Sequence, residues 1–166
     1  IENLQGGSGD DTLTGDGLAN TLVGLGGNDV LRGGGGNDVL DGGSGTDWAD
    51  YSDKTAAVSV TLAGAANAIV TVGGVAEDTI RNIENVLGGS ANDVLTGDGG
   101  ANAIAGNVGN DTIRGGAGND TLDGGGGIDS AVYSGSRASY TVSTMGGTTT
   151  VSGLDELNNQ ATDTLT

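Results

Sequence analysis

Aliphatic side chains recur singly along the first third of the chain, nine residues apart, at Leu13, Leu22, Leu31 and Leu40, with Ala49 in the next place. Between them lie runs of Gly, Asn, Asp and Ser. A spacing of nine belongs neither to an amphipathic helix nor to one long alternating strand. Each aliphatic residue with its two neighbours suffices for one short strand, and the intervening six residues, dense in Gly, supply φ > 0 positions for a tight turn. The nonamers Gly6–Thr14 (GGSGDDTLT), Gly15–Val23 (GDGLANTLV), Gly24–Arg32 (GLGGNDVLR), Gly33–Asp41 (GGGGNDVLD) and Gly42–Asp50 (GGSGTDWAD) follow one another without a gap. A second run occupies Gly88–Val132, with Leu95, Ile104, Ile113, Leu122 and Ala131 in the aliphatic place. Ile1 corresponds to Ile83, and the offset of 82 holds through Ser52 and Ser134, so the chain is a duplication of a nonamer block.

One strand per nonamer, with turns between, predicts an all-β fold: a parallel β-roll, or right-handed β-solenoid, in two blocks with short additional strands and hairpins. Two nonamers make one coil, strands of alternate nonamers stack about 4.8 Å apart, and position eight faces inward. Ala49 and Ala131 read as thinned last rungs. The organisation expected is a first roll over 1–52, a connecting β-segment over 53–82, a second roll over 83–134, and a C-terminal β-hairpin segment over 135–166 leading to a further, truncated unit. In the connecting segment Val58, Val60 and Leu62 alternate with Ser59 and Thr61, and Ile69–Val72 offers a partner strand. In the last segment Tyr140–Ser143 and Thr148–Ser152 flank Met145-Gly146-Gly147 as a hairpin. Asp163–Thr166 matches Asp78–Arg81, and Ile83-Glu84-Asn85 matches Ile1-Glu2-Asn3, so the chain reads as two units of a longer array. Glu2 and Glu84 read as structural joints, and Trp48 and the tyrosines as covers for the ladder ends.

Composition narrows the chemistry. The chain has 166 residues, 36 of them Gly, and no Pro, Cys, His or Phe. Missing Cys and His remove disulfides, thiolate chemistry, zinc–thiolate sites and the commonest general base, leaving hard oxygen ligands. Twenty-two acids, 18 of them Asp, against five bases give a net charge of −17, which repels nucleic acid and anionic membrane. No run of about 20 apolar residues offers a membrane span, so neither nucleic-acid binding nor membrane insertion is expected.

Stacking sets the position-six residues of alternate nonamers above one another: Asp11, Asp29 and Asp47 on one edge, Asn20 and Asp38 on the other, then Asp93, Asp111 and Asp129 on one edge, Asn102 and Asp120 on the other. Two carboxylates near 4.8 Å repel by roughly 1 kcal/mol at a water-like dielectric and several-fold more when desolvated. A divalent cation between turns removes that repulsion and takes turn carbonyls as further ligands. Oxygen-only ligands in a flexible cage select calcium over zinc, copper or magnesium. All ten of these residues are candidate metal ligands. The edges holding Asn20 and Asn102 are expected to be weaker; Asp16 and Asp98, in place of the second Gly, either lend charge there or face solvent. Asn28, Asn37, Asn92, Asn110 and Asn119, at position five, read as turn formers bonding their own backbone.

The pattern G-G-x-G-x-D-x-U-x over 6–50 and 88–132 resembles the RTX (repeats-in-toxin), hemolysin-type calcium-binding nonapeptide repeats. The resemblance implies type I secretion of an unfolded chain from a Gram-negative bacterium, with the roll forming on Ca2+ outside the cell as part of a toxin, protease, lipase or surface adhesin. The expected function is a non-catalytic extracellular or cell-surface calcium module, monomeric, acting as a structural spacer in a larger secreted or adhesin-like protein that meets its cell-surface or glycan ligand. The alternative is a carbohydrate-binding accessory module of a secreted glycan-acting enzyme. Against catalysis, nearly every acid belongs to a repeat turn. An ice-binding array would need Thr at position three, where none stands. A disordered acidic linker would not keep an aliphatic residue at position eight. Gly33–Asn37 lacks the Gly-Lys-Ser/Thr of a phosphate loop.

Overall fold

The computed structural model describes residues 2–134, 140–145, 148–154 and 160–165. All regular structure among them is strand. The first roll contributes β1 (Asn3–Gln5), β2 (Thr12–Thr14), β3 (Thr21–Gly26), β4 (Val30–Arg32), β5 (Val39–Ser44) and β6 (Trp48–Asp50). The connecting segment contributes β7 (Val58–Thr61), β8 (Ala68–Val72) and β9 (Val75–Arg81). There follow β10 (Asn85–Leu87), β11 (Val94–Thr96), β12 (Ala103–Ala105), β13 (Thr112–Arg114), β14 (Thr121–Asp123) and β15 (Ser130–Ala131), then β16 (Tyr140–Met145), β17 (Thr148–Leu154) and β18 (Gln160–Leu165).

The strands form two nine-stranded sheets, ordered β1-β3-β5-β9-β8-β7-β11-β13-β15 and β16-β17-β18-β14-β12-β10-β6-β4-β2. Successive nonamers alternate between the sheets, so parallel neighbours lie two nonamers apart: Leu13 beside Leu31, Leu22 beside Leu40, Leu95 beside Ile113, Ile104 beside Leu122. The fold is the parallel β-roll expected. With one inward side chain per strand the core is a stack of single aliphatic rungs, and Leu22, Leu31, Leu40 and Leu95 are fully buried within it. Such layers need no aromatic bulk, which fits the composition.

The join between the blocks is continuous. β9 runs parallel to β5, with Ile80 on Leu40, and β7 runs parallel to β11, with Val60 beside Leu95. Antiparallel β8 fills the space between, pairing Val72 with Val58 and Ile69 with Thr79, with a bulge at Val70/Thr71. The β7–β8 pairing is the one expected; β8–β9 adds a third strand. In the other sheet β10 bridges directly from β6 to β12. Two expectations change as a result. Ala49 is no terminal rung, since Val86 stacks on it. Tyr51 is buried in the middle of the core, and Trp48 sits half-buried between Val30 and Asn85, so neither covers a ladder end.

The C-terminal segment repeats this arrangement. β16 and β17 form the expected antiparallel pair, β17 pairs antiparallel with β18, and β18 lies parallel to β14 with Leu165 beside Leu122. Gly146 and Gly147, the centre of that hairpin, lie outside the described residues. The duplicated strands exchange sheets: β1, β3 and β5 share one sheet, whereas their counterparts β10, β12 and β14 lie in the other. Among the described residues no helix is long and apolar enough to cross a membrane.

Candidate metal-binding ladders

Position six immediately precedes each strand, so the parallel register that stacks the aliphatic rungs also stacks these acids, and one oxygen of each holds the stack. The Asp11 amide donates to Asp29 Oδ1 (2.8 Å), Asp29 to Asp47 Oδ1 (2.7 Å), and Asp47 to Glu84 Oε2 (2.9 Å). On the other edge the Asn20 amide donates to Asp38 Oδ1 (2.8 Å) and Asp38 to Asp78 Oδ1 (2.9 Å). Beyond the join, Val58 donates to Asp93 Oδ1, Asp93 to Asp111 Oδ1, Asp111 to Asp129 Oδ1 and Asn102 to Asp120 Oδ1, all at 2.8–2.9 Å. Every predicted site residue therefore stands on a ladder. Asp29, Asp38, Asp47, Asp93, Asp111 and Asp120 are buried; Asp11 and Asp129, on outer rungs, are half-buried.

The second carboxylate oxygen has a different fate. On the first acid rung of each block it accepts an amide of its own turn, Gly7 to Asp11 Oδ2 (2.6 Å) and Gly89 to Asp93 Oδ2 (2.7 Å). The Oδ2 atoms of Asp29, Asp38, Asp47, Asp78 and Asp111 are buried with no hydrogen-bond partner. Leaving a buried carboxylate oxygen unsatisfied costs more than a neutral group would. Burial pushes the carboxyls of Asp38, Asp47, Asp93 and Asp111 above the usual range. Asp78 is pushed up to about 6 by burial, with the charges of Asp38 and Glu77 adding to it.

The position-one glycines let these oxygens pack directly against the backbone. A Cβ on Gly6 would fall 2.6 Å from Asp11 Oδ2 and 2.7 Å from the Gly24 carbonyl, and one on Gly24 or Gly106 would overlap the Oδ2 of Asp29 or Asp111 and the carbonyl of Gly42 or Gly124. A carboxylate oxygen and a carbonyl from the next coil thus converge beside a backbone position that only Gly can occupy. Among the described residues no three acidic side chains come together, so a cation here depends on main-chain carbonyls as well. That mixed, oxygen-only set fits calcium, which takes six to eight oxygens without strict geometry.

Asn20 and Asn102 satisfy themselves differently. Their Oδ1 atoms accept the Asp16 amide (2.7 Å) and the Asp98 amide (2.8 Å), and Asn102 Nδ2 donates to the Glu84 carbonyl (2.8 Å). Asp16 and Asp98 mainly close their own turns, each accepting the amide two residues on, from Leu18 (3.0 Å) and Gly100 (2.8 Å). Three of the position-five asparagines also depart from expectation. Asn28 Oδ1 accepts the Thr46 amide, Asn92 Oδ1 the Asn110 amide and Asn110 Oδ1 the Ile128 amide, at 2.8–2.9 Å, so they tie one coil to the next instead of bonding their own turn. Stacking in register brings the next coil's amide within reach.

Asp78 and Glu84 were not among the expected ladder residues. Their signal was in the spacing: Asp78-Thr79-Ile80 and Glu84-Asn85-Val86 each put an acid two residues before an inward aliphatic, as in Asp29-Val30-Leu31.

A family model described as RTX calcium-binding nonapeptide repeat (4 copies) matches residues 1–17, 14–49, 82–113 and 96–131, more than half of the chain. No curated protein matches it. Among solved structures, the extracellular lipase LipA from Serratia marcescens aligns with 99% of this chain at 16% identity and a TM-score of 0.43, and the chain spans 38% of that protein's length.

Proposed function

Because the chain belongs to the RTX calcium-binding nonapeptide repeat family, we propose that it is a non-catalytic extracellular calcium module that folds on meeting Ca2+ and serves as a structural spacer in a larger secreted or adhesin-like protein. The observation that carries this reading is the set of buried Oδ2 atoms without partners on Asp29, Asp38, Asp47 and Asp111, each against a backbone position that only Gly can occupy. Asp11, Asp29, Asp38, Asp47, Asp93, Asp111, Asp120 and Asp129 are the proposed carboxylate ligands, and Asn20 and Asn102 the neutral, weaker rungs. Bound calcium supplies the positive charge that these acids lack.

The chain itself supplies orientation. The Oδ1 of Asp29, Asp38, Asp47, Asp93, Asp111, Asp120 and Asp129 is held by the amide of the preceding coil, which fixes the carboxylate. Without a cation those buried charges disfavour the folded state, and binding that occurs only when folded returns its free energy as stability. Extracellular calcium modules bind at about 10⁻⁴–10⁻³ M, so such a chain stays unfolded at cytosolic calcium and folds outside, in keeping with type I secretion from a Gram-negative bacterium. Three acids outside the ladders are engaged in ion pairs, Asp50 with Arg32, Glu77 with Lys54 and Asp41 with Arg81 (2.7 Å), which supports the non-catalytic reading.

Far-UV circular dichroism tests it. In EDTA the spectrum is expected to be largely unstructured; millimolar calcium restores the β signal, and equal magnesium does not. An EDTA spectrum identical to the calcium spectrum overturns the reading.

A further inference from the structure

Lys54 is the chain's one lysine, and it is buried at the join of the two blocks. Its carbonyl accepts the Ser90 amide (3.0 Å), as the position-two carbonyls of Asp16 and Asn107 accept amides of the following coil. Lys54 thus holds position two of a degenerate turn. Four residues on, where other turns carry Asp, stands Val58, whose amide donates to Asp93 Oδ1. This turn brings no carboxylate at that position.

The Lys54 side chain reaches back to the previous coil. Its ammonium pairs with Glu77 and donates to the Gly34 carbonyl, in the turn that leads to Asp38. Its charge acts on both Asp38 and Asp78. The β8–β9 connection uses Gly73 and Gly74 as a hairpin turn with left-handed φ, so no glycine-rich coil turn stands against Asp78. The ammonium instead meets one carboxylate and one turn carbonyl, the same donor types that converge beside the other rungs.

We propose that Lys54 is a tethered cation standing in for calcium at the Asp38–Asp78 step, so that the join between the blocks forms without a metal ion there. Being part of the chain, this charge needs no free ion and is present at any calcium concentration. The inference rests on the calcium reading above. The test is calorimetric calcium titration with ion counting on the intact chain and on Lys54→Met and Lys54→Arg. Lys54→Met is expected to bind one calcium more than the parent and to lose more stability at calcium just above the folding midpoint than in saturating calcium, while Lys54→Arg keeps the parental count. An unchanged count in Lys54→Met with equal loss in both conditions overturns the inference, as does a Lys54→Met chain that stays unfolded at every calcium concentration while Lys54→Arg folds. A parent that binds no calcium sinks the underlying reading; a parent that binds while Lys54→Met gains no site sinks only this one.

Discussion

Asp29, Asp38, Asp47 and Asp111 each hold the preceding coil with one oxygen and leave the other without a partner, for the proposed cation, whereas Asn20 and Asn102 accept an amide of their own turn. Asp111 lies between Asp93 and Asp129. Asp111→Ala should therefore raise the calcium midpoint of folding more than Asp129→Ala, at the outer rung. Asn102→Ala should instead cost about 1–2 kcal/mol with or without calcium, since it removes amide hydrogen bonds only. Calcium titrations of folding for the three variants, with chemical denaturation in saturating calcium, check this; an Asn102→Ala loss that vanishes in saturating calcium would contradict the assignment. A second residue-scale prediction concerns Leu25, at position two with φ of 78°. A left-handed conformation costs an L-residue about 1–2 kcal/mol, and the side chain is 44% exposed, so little burial is at stake. Leu25→Gly should raise stability by up to about 1 kcal/mol after the entropy cost of glycine; a lowered Tm refutes it. Asn107, its counterpart at φ 77°, tolerates that conformation better and should gain less.

At the scale of elements, the three-residue strands and their inward residues were legible because position eight repeats without error. The route through the join was less so. Gly73-Gly74 fits equally the start of a nonamer and the turn of a hairpin, and only the pairing of β8 with both neighbours, a long-range matter, decides between them. Asp78 stayed hidden for that reason, and Ala49 looked terminal because Val86 arrives from 37 residues further along the chain. The carbonyls completing each site, lying in the backbone, leave no trace in residue type. The ladders also set a pH dependence. Asp78, at about 6 against an ordinary 3.8, and the four other raised carboxyls hold protons more tightly folded than unfolded. Such groups favour the fold fully below their unfolded values, and this contribution fades as pH rises through the folded ones. In EDTA, acidification from about pH 7 to about pH 5 should therefore recover part of the β signal, whereas in limiting calcium it should raise the calcium midpoint as protons compete. Far-UV circular dichroism in EDTA at both pH values decides it; a weaker β signal at the lower pH contradicts the burial of these acids.

Across the whole molecule the two blocks share both sheets, through β5-β9-β8-β7-β11 on one side and β6-β10-β12 on the other. Neighbour-coupled coils without a break should fold as one unit. Trp48 emission, which reports the first block, and far-UV ellipticity, which reports both, are expected to follow a single calcium transition. Asp29→Ala and Asp111→Ala should each displace all of it; two separated transitions would show the blocks to be independent. The exchange of sheets between duplicated strands carries a consequence for anything that meets this protein from outside. The second unit is set half a coil out of step with the first, as leaves alternate along a stem. Whatever β3 and β5 display on one flank, β12 and β14 display on the opposite flank. A partner docking on one side therefore meets a given motif from one of the two units only, its duplicate facing away.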